Sequence, residues 1–217
     1  MDLGIAGRKA IVCASSRGLG RACAEKLAEA GCEVVINGRD AERLKATADA
    51  MAKTYGVKVT PVAADLATLE GQKALLAACP DPDILVNNNG GPPPRDFREL
   101  TRQQMIDGVI ANMVVAIELI QKTIGPMTER RFGRIVNITS GSVKMPLANL
   151  DLSSGARAGL TAFLAGVART VADKNVTINN ILPGAFDTDR LRSVLGNAAK
   201  AKGISADEAA AQRPLTI

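Results

Sequence analysis

The alternation of predicted strands and helices is the feature of this sequence that most limits its fold. Short apolar runs typical of buried β-strands are separated along the chain by longer amphipathic runs typical of helices. Strand–helix–strand units are joined by right-handed crossovers, and several in succession build a parallel sheet with helices on both faces. We therefore predict an α/β fold, a doubly wound parallel sheet in three layers, with residues 1–217 forming a single domain.

Six strands and five helices are predicted in alternation, followed by a helical C-terminal part. The predicted strands are Lys9–Ala14, Glu33–Asn37, Val57–Ala63, Asp83–Asn87, Gly133–Ile138 and Thr177–Leu182. The predicted helices are Leu19–Ala30, Ala41–Tyr55, Leu69–Ala78, Thr101–Thr123 and Ser153–Lys174. Gly90–Pro94 is predicted to be a loop, because three consecutive prolines fit neither a helix nor a central strand. Ala185–Gln212 is predicted to add one or two helices without a seventh strand, so we expect the natural protein to be longer and to add one.

Composition excludes several kinds of catalytic centre. The chain contains no histidine, which removes Ser-His-Asp triads and most zinc or iron sites. Its four cysteines, Cys13, Cys23, Cys32 and Cys79, show no C-x-x-C spacing. We therefore predict neither a metal site nor dithiol redox chemistry.

Charge and hydropathy bear on partners and on the compartment. The net charge of +5 is mild and only 2% of the residues are aromatic, so a nucleic-acid partner is not expected. Neither a signal peptide nor an apolar stretch of membrane-spanning length is evident. A cytoplasmic protein without a membrane partner is therefore predicted.

The first predicted strand runs into a glycine-containing turn before a helix. The turn reads Ala14-x-x-x-Gly18-x-Gly20, which differs from the G-x-G-x-x-G fingerprint of dinucleotide sites. The N-terminus of a helix offers N–H groups and positive dipole charge to a pyrophosphate, and glycine permits close approach. The turn is therefore a candidate phosphate loop, with an ordinary strand-to-helix turn as the alternative.

The residues after the second strand bear on the choice of dinucleotide. An NAD enzyme carries an acid there to bind the ribose 2′-hydroxyl, whereas this chain reads Asn37-Gly38-Arg39, with no acid before Asp40. Arg39 and Arg17 could both bind a 2′-phosphate, which favours NADP over NAD. The alternative is that both arginines are merely solvated.

Six motifs occur in order between about Gly7 and Thr188. They are Cys13–Gly20 at the first turn, Asp65 within Ala64-Asp65-Leu66, Asn87–Gly90 after the fourth strand, Asn112 in the fourth helix, Ser140 after the fifth strand, and Pro183-Gly184 with Thr188. Together they resemble the short-chain dehydrogenase/reductase family, whose fold is of the Rossmann type. Within it, the chain looks like a divergent β-ketoacyl carrier-protein reductase-like branch.

This resemblance implies a function and a set of site residues. The implied function is hydride transfer between a nicotinamide cofactor and a carbonyl or alcohol substrate, by a homodimer or homotetramer. Asp65 would contact adenine, Thr188 the nicotinamide amide, and Asn112 a water of the proton relay, while Ser140 would bind the substrate oxygen. The implied cofactor-binding residues are Ala14, Ser16, Arg17, Gly18, Leu19, Gly20, Arg39, Asp65, Leu66, Asn88, Asn89, Gly90, Pro183, Gly184 and Thr188.

The chain departs from the family at its catalytic Tyr-x-x-x-Lys pair. Thirteen residues after Ser140, the Tyr position holds Ser153 and the Lys position holds Arg157. A serine hydroxyl is a much weaker acid than a phenol, and Arg157 stays protonated and cannot relay a proton. Ser153 could instead be the N-cap of the helix that follows it. Lys144 and Asp151 are further candidate proton donors, with ordinary loop charges as the alternative.

Two other functions therefore remain open beside the oxidoreductase. The chain could be a catalytically impaired dinucleotide-binding protein that acts as a sensor, or a structural subunit that pairs with an active reductase. Fold alone does not decide between them, because function depends on the site. The loops expected around the substrate, Pro92–Phe97 and Thr188–Pro214, match no known pattern, so the substrate is not identified.

Overall fold

Six parallel strands form one sheet in the computed structural model, which describes residues 2–211. The strands are β1 (Lys9–Val12), β2 (Glu33–Gly38), β3 (Val59–Ala63), β4 (Ile84–Asn87), β5 (Gly133–Ile138) and β6 (Val176–Ile181). Their order in the sheet is β3-β2-β1-β4-β5-β6. The chain thus winds outward from β1 in one direction, returns to β4 and winds outward in the other, which confirms the doubly wound α/β prediction.

Eight α-helices connect or follow these strands in the described residues. They are α1 (Gly18–Glu29), α2 (Ala41–Tyr55), α3 (Leu69–Ala78), α4 (Arg102–Val109), α5 (Val115–Glu129), α6 (Asp151–Val171), α7 (Asp189–Lys202) and α8 (Ala206–Ala211). The predicted C-terminal helical segment is therefore two helices, and its last predicted residue, Gln212, lies outside the described residues with the segment 212–217.

Apolar side chains alternate between the two faces of the sheet and build a core on each. Ile11 and Leu85 join a cluster that packs α3, α5 and α6 against one face. Val12 and Val86, one residue further along the same strands, join a second cluster with α1 and α2 on the other face. Burial on both faces explains why the sequences of the central strands β1, β2 and β4 are almost continuously apolar.

The predicted helix Thr101–Thr123 differs from the observed structure at both ends and in its interior. Thr101 is the N-cap and forms a capping box with Gln104. A π-helical turn at Ile110–Val114 then joins α4 to α5 without a break. The helix continues past Thr123 to Glu129, because Met127 is fully buried in the core and keeps the last turns on the sheet.

This continuous helical segment contradicts the expectation that no apolar stretch reaches membrane-spanning length. Arg102–Glu129 spans 28 residues, with a mean hydropathy of 1.3 in its most apolar window, and by these two measures it could cross a membrane. One such segment in the described chain is weak support for a membrane location, because core helices meet the same criterion. Here Leu119, Ile120 and Met127 are buried against the sheet.

Two other boundaries correct the sequence predictions. Strand β1 ends at Val12 rather than Ala14, because Ala14 has a φ of +46° and turns the chain out of the sheet. Helix α6 begins at Asp151 after the N-cap Leu150. Ser153 therefore lies inside the first turn of α6 and is not its N-cap, so the alternative role considered for it was wrong.

Buried asparagines link the central strands at their carboxyl ends. Asn87 Nδ2 donates to Asn137 Oδ1 at 2.9 Å, and Asn137 Nδ2 donates to the Asn179 carbonyl at 3.3 Å. Asn87 and Asn137 are nearly inaccessible to solvent. Buried amides without partners cost stability, so each side chain depends on the other.

We expect Asn137→Ala to lower the free energy of unfolding by about 1–3 kcal/mol, because it leaves the buried amide of Asn87 without its acceptor. Asn179→Ala is the matched control: its side chain is exposed on the neighbouring strand, so a change within about 0.5 kcal/mol is expected. Urea denaturation of both variants measures the two values. Equal values would contradict a stabilising role for the buried pair.

Candidate functional site

The candidate site lies at the carboxyl edge of the sheet, where the strand order reverses between β1 and β4. Open α/β sheets bind ligands at this switch point. A cleft of about 350 Å³, counting its open mouth, lies next to it. Its lining includes Asn88 and Asn89 after β4, Asn112 in the π-helical turn, and Arg157 in α6. Four residues predicted from distant parts of the sequence are thus brought together.

The turn between β1 and α1 has the shape of a phosphate loop. Gly18 has a φ of +60°, and a Cβ there would have only Thr188 Cγ2 nearby, at 3.8 Å. A Cβ at Gly20, in contrast, would collide with the Ala14 carbonyl and would lie 2.7 Å from Asn88 Nδ2. Gly18 therefore leaves open space above the turn, and Gly20 allows α1 to pack closely below it.

Ala14 stands where the family pattern has its first glycine, and it adopts a left-handed conformation. Neighbouring side chains hold it there: Asn88 Nδ2 donates to the Ala14 carbonyl at 3.1 Å, and the Ala14 N–H donates to Asn37 Oδ1 at 3.3 Å. Asn37 also donates to the carbonyls of Val62 and Ala64, both at 3.1 Å. Asn37 thus connects the phosphate loop to β2 and β3, a role that the sequence analysis did not assign to it.

The first turn of α1 fits a bound anion. Its N-cap, Arg17, makes no side-chain capping hydrogen bond, whereas Asp40, Thr68 and Thr101 cap α2, α3 and α4. The first N–H groups of a helix have no partner within it, so those of α1 can be offered to a phosphate. With the open space above Gly18, this turn fits the pyrophosphate of a dinucleotide.

The two arginines proposed for a 2′-phosphate are each placed opposite a carboxylate. Arg39 lies after β2, with its guanidinium 3.9 Å from Asp65, and Arg17 lies 3.3 Å from Asp189 at the start of α7. All four side chains are exposed, so these pairs are weak. Asp40, the first acid after β2, accepts the Arg43 N–H as the cap of α2, which leaves Arg39 as the charged group facing Asp65.

The remaining predicted cofactor residues surround the same edge. Leu66 is buried beside Asp65, and Leu19 packs against the second core cluster. Ser16 contributes a carbonyl that accepts the Thr47 hydroxyl at 3.2 Å. Gly90 is exposed. The other predicted residues, in the segment after β6, adjoin the site: Pro183 accepts the Gly141 N–H at 2.9 Å, Gly184 has open space beside it, and Thr188 caps α7.

Arg157 connects the residues predicted to be catalytic. It is buried, with 7% of its surface exposed. Its Nη1 donates to the carbonyls of Ile138 at 2.8 Å and Thr139 at 3.1 Å, and its Nη2 donates to the Asn89 carbonyl at 3.1 Å. Nε donates to Ser153 Oγ at 3.3 Å, four residues earlier on α6. The guanidinium therefore joins the ends of β4 and β5 and contacts the hydroxyl at the Tyr position.

Ser140 follows β5 and is held by a residue that the sequence analysis missed. Ser142 donates its hydroxyl at 2.9 Å and its N–H at 3.1 Å to Ser140 Oγ. A hydroxyl oxygen has two acceptor sites, so both are used and the Ser140 O–H is left to donate. Ser142 is buried. The only sequence signal for it was a second serine within a short turn, a pattern too common to single it out.

Asn112 lies in the π-helical turn, with its side chain buried. Its Nδ2 donates to the Gly108 carbonyl at 3.1 Å, while its Oδ1 has no hydrogen-bond partner. Asn89 Nδ2 donates to the Ala111 carbonyl at 2.8 Å on the same turn. A buried carbonyl oxygen without a partner on the lining of a cleft is a natural position for an ordered water.

Other candidate groups lie outside this arrangement. Lys144 and Asp151 are exposed on the surface, and neither belongs to the residues that line the cleft. Tyr55, at the C-terminal end of α2, packs against the second core cluster. Cys13 lines the cleft, but burial raises the pKa of its thiol to about 12, so it remains protonated and is a poor nucleophile.

Comparison with known proteins identifies the family. The model of the short chain dehydrogenase family matches residues 8–198. The 3-oxoacyl-acyl-carrier-protein reductase of Aquifex aeolicus is 34% identical over 206 residues, covering 93% of this chain and 83% of that protein. The inactive hydroxysteroid dehydrogenase-like protein 1 of Homo sapiens is 32% identical over 184 residues, covering 82% of this chain and 55% of that protein.

Solved structures agree with the sequence matches. The L-sorbose reductase from Gluconobacter frateurii, determined in complex with NADPH and L-sorbose, superposes with a TM-score of 0.89 at 29% identity, covering 96% of this chain and 81% of that one. The family match, which spans most of the residues from β1 to α7, shows that this chain belongs to the short-chain dehydrogenase family of oxidoreductases.

Proposed function

We propose that the protein is an NADP-dependent oxidoreductase that reduces a carbonyl group, with a chemistry similar to that of 3-oxoacyl reductases. The observation that carries this proposal is the convergence of Ser140, Ser153 and Arg157 at the carboxyl edge of the sheet, beside a turn that fits a pyrophosphate. A reductase that binds NADPH has the same fold at a TM-score of 0.89, which supports the choice of cofactor.

The dinucleotide would be held by three groups of residues. The first turn of α1 would bind the pyrophosphate, and Arg17 and Arg39 would bind the 2′-phosphate after releasing Asp189 and Asp65. Asn88, Asn89 and Gly90 would line the position of the ribose and nicotinamide. The bound nicotinamide supplies hydride to the substrate carbon or accepts it.

The residues of this chain act on the substrate oxygen. Ser142 occupies the acceptor sites of Ser140, so the Ser140 hydroxyl donates toward the substrate. Arg157 donates into Ser153 Oγ, which leaves the Ser153 hydroxyl to donate as well. Both hydroxyls would donate to the substrate oxygen and stabilise the negative charge that develops as the carbonyl is reduced. Neither hydroxyl is a competent acid, so the final proton comes from water.

A second function, dinucleotide binding without turnover, is favoured by the environment of Arg157. Its donors are used on three backbone carbonyls and on Ser153, and a guanidinium does not release a proton. A relative at 32% identity carries the name of an inactive protein. In this case the chain would serve as a cofactor sensor or as the partner of an active reductase.

The wild-type protein is expected to bind NADPH more tightly than NADH. A hydrogen bond to a charged group contributes about 1.5–3 kcal/mol, so Arg39→Ala should shrink the preference roughly tenfold or more. Arg43→Ala is the control, since Arg43 faces Asp40 one turn further along α2. Fluorescence titration gives the dissociation constants. Equal affinities in the wild type, or an unchanged preference in Arg39→Ala, would contradict the assignment.

Turnover of simple ketones by the wild type is expected to be slow, because a positioned general acid contributes about 10²–10⁴-fold. The double variant Ser153→Tyr with Arg157→Lys should raise kcat by part of that factor. Lysine at position 157 cannot replace all the hydrogen bonds of the Arg157 guanidinium, so the double variant could be less stable than the wild type. Thermal unfolding curves of the double variant and of the two single variants control for this loss of stability.

Two outcomes would change the proposed mechanism or the proposed function. A wild type that is faster on a substrate than the double variant would show that another acid operates, and Lys144→Ala and Asp151→Ala would test which one. Cofactor binding without turnover in either protein would support the binding function instead.

We also expect the protein to form a dimer or tetramer. Ala162, Ala165 and Gly166 are exposed on α6, and Phe163 between them is 47% exposed, while Gly159 packs against Met113 of the same chain. Small residues around an exposed aromatic ring suit close helix packing across a two-fold axis. Light scattering should give a molar mass of about two or four times the 22.6 kDa of one chain, and Gly166→Arg should lower the measured mass. A monomer at micromolar concentration would refute the assembly.

A further inference from the structure

A second cleft opens beside Ser153, between the loop that follows β4 and the loop that follows β5. It has about 190 Å³ of empty space, counting its mouth. The residues that line it are Pro92, Pro93, Arg95, Leu100, Asn149, Leu150, Leu152 and Ser153. Because Ser153 occupies the catalytic Tyr position, this cleft adjoins the point where the substrate carbonyl would be bound.

The lining of this cleft is apolar apart from three groups. Ser153, Asn149 and Arg95 are its polar residues, and no acidic residue is among the lining residues. Proline and leucine side chains supply the other walls. A neutral aliphatic substrate would not need a cation here, so the guanidinium is the feature that requires a chemical explanation.

The backbone of Arg95 is fixed where the two loops meet. Its N–H donates to the Asn149 carbonyl at 2.9 Å, and this bond ties the loop after β4 to the loop after β5. Asn149 has a φ of +66°, a conformation that asparagine tolerates better than most residues. The side chain of Arg95 therefore starts from a defined position on the wall of the cleft.

The guanidinium of Arg95 already faces one carboxylate, but weakly. Glu99 Oε2 lies 3.8 Å from its Nη1, beyond hydrogen-bond distance, and the glutamate is largely exposed. An exposed pair of this kind contributes about 0–1 kcal/mol. A substrate carboxylate within the apolar cleft would form shorter, charge-assisted bonds and would displace Glu99.

We propose that the substrate is a short oxo acid, whose carboxylate binds Arg95 while its ketone oxygen faces Ser153 and Ser140. This inference rests on the proposed reductase function and names its substrate class. Arg95 and Ser153 line the same small cleft, so the carboxylate and the reacting carbonyl of the substrate would be separated by a short aliphatic chain. Arg95 is a specificity residue in this arrangement: it binds the substrate and takes no part in the transfer of hydride.

Acetoacetate and methyl acetoacetate test this assignment, because they share the same ketone and differ in the charge of the acid group. With NADPH, the wild type should show a kcat/KM for acetoacetate at least about tenfold above that for the ester, as expected for one charge-assisted contact. Arg95→Ala should abolish this preference by raising the KM for acetoacetate, and Arg95→Lys should keep part of the preference.

Arg98→Ala is the matched control. Arg98 lies in the short helical turn Phe97–Glu99 just after Arg95 and hydrogen bonds to Asp96. It is not among the residues that line the cleft, so its loss should leave the ratio unchanged. The inference would be overturned if the wild type had nearly the same kcat/KM for acetoacetate and for its methyl ester. It would also be overturned if Arg95→Ala and Arg98→Ala showed the same preference for the acid. Turnover of both compounds in that case would still support the reductase.

A binding measurement separates failure of this inference from failure of the proposed function. Acetoacetate and its methyl ester are titrated into the NADP-loaded protein by calorimetry, which needs no turnover. Preferential binding of the acid, lost in Arg95→Ala, would support the anion site even if no reduction occurs, and would count against the reductase. Equal binding, or no binding of either compound at millimolar concentration, would overturn the oxo-acid assignment.

Discussion

The buried guanidinium of Arg157 is the interaction on which the rest of the site depends. Removing a charged group from water is costly unless its donors find acceptors, and here backbone carbonyls at the ends of β4 and β5 supply them. The same bonds hold the Asn89 segment against β5 and orient Ser153. A substitution at Arg157 would therefore change both the packing of these segments and the position of Ser153.

This arrangement explains why the altered catalytic pair is compatible with a well-formed site. A lysine offers three donors from one nitrogen, whereas arginine offers five in a planar fork that can satisfy several carbonyls at once. What is lost is the proton relay, since arginine keeps its proton. Under the proposed function, the site would keep groups that stabilise an oxyanion but would lack a strong acid, which is the combination expected for slow reduction or for binding alone.

Much of the fold could be predicted from the sequence, because it depends on local patterns. The apolar strands, the spacing of Gly18 and Gly20, and the loop at Gly90–Pro94 each follow from rules that act over a few residues. The position of Arg157 could be predicted by counting along the chain from Ser140. Its three backbone acceptors could not be predicted, because backbone carbonyls are present at every residue and leave no signal in the sequence.

Contacts between distant segments account for what was missed. Asn37 and Arg95 are ordinary residues in sequence, and their contacts arise only when distant segments meet at one edge of the sheet. Ser142 acts locally, on Ser140 two residues earlier, but serine pairs in turns are too common to single it out. The start of α6 was predicted at Ser153 because serine is a good N-cap residue. In the structure α6 begins two residues earlier, at Asp151, and the Ser153 hydroxyl is buried and accepts a hydrogen bond from Arg157.

The pairing of Arg17 with Asp189 has a consequence for the physical character of cofactor binding. Because both arginines near the phosphate loop face carboxylates, binding a phosphate exchanges one ion pair for another instead of neutralising an isolated charge. Dissolved salt weakens the old pair and the new one alike. Affinity for the dinucleotide should therefore vary less with ionic strength than the number of arginines suggests, and Asp189 at the start of α7 would lose its arginine partner when the cofactor binds.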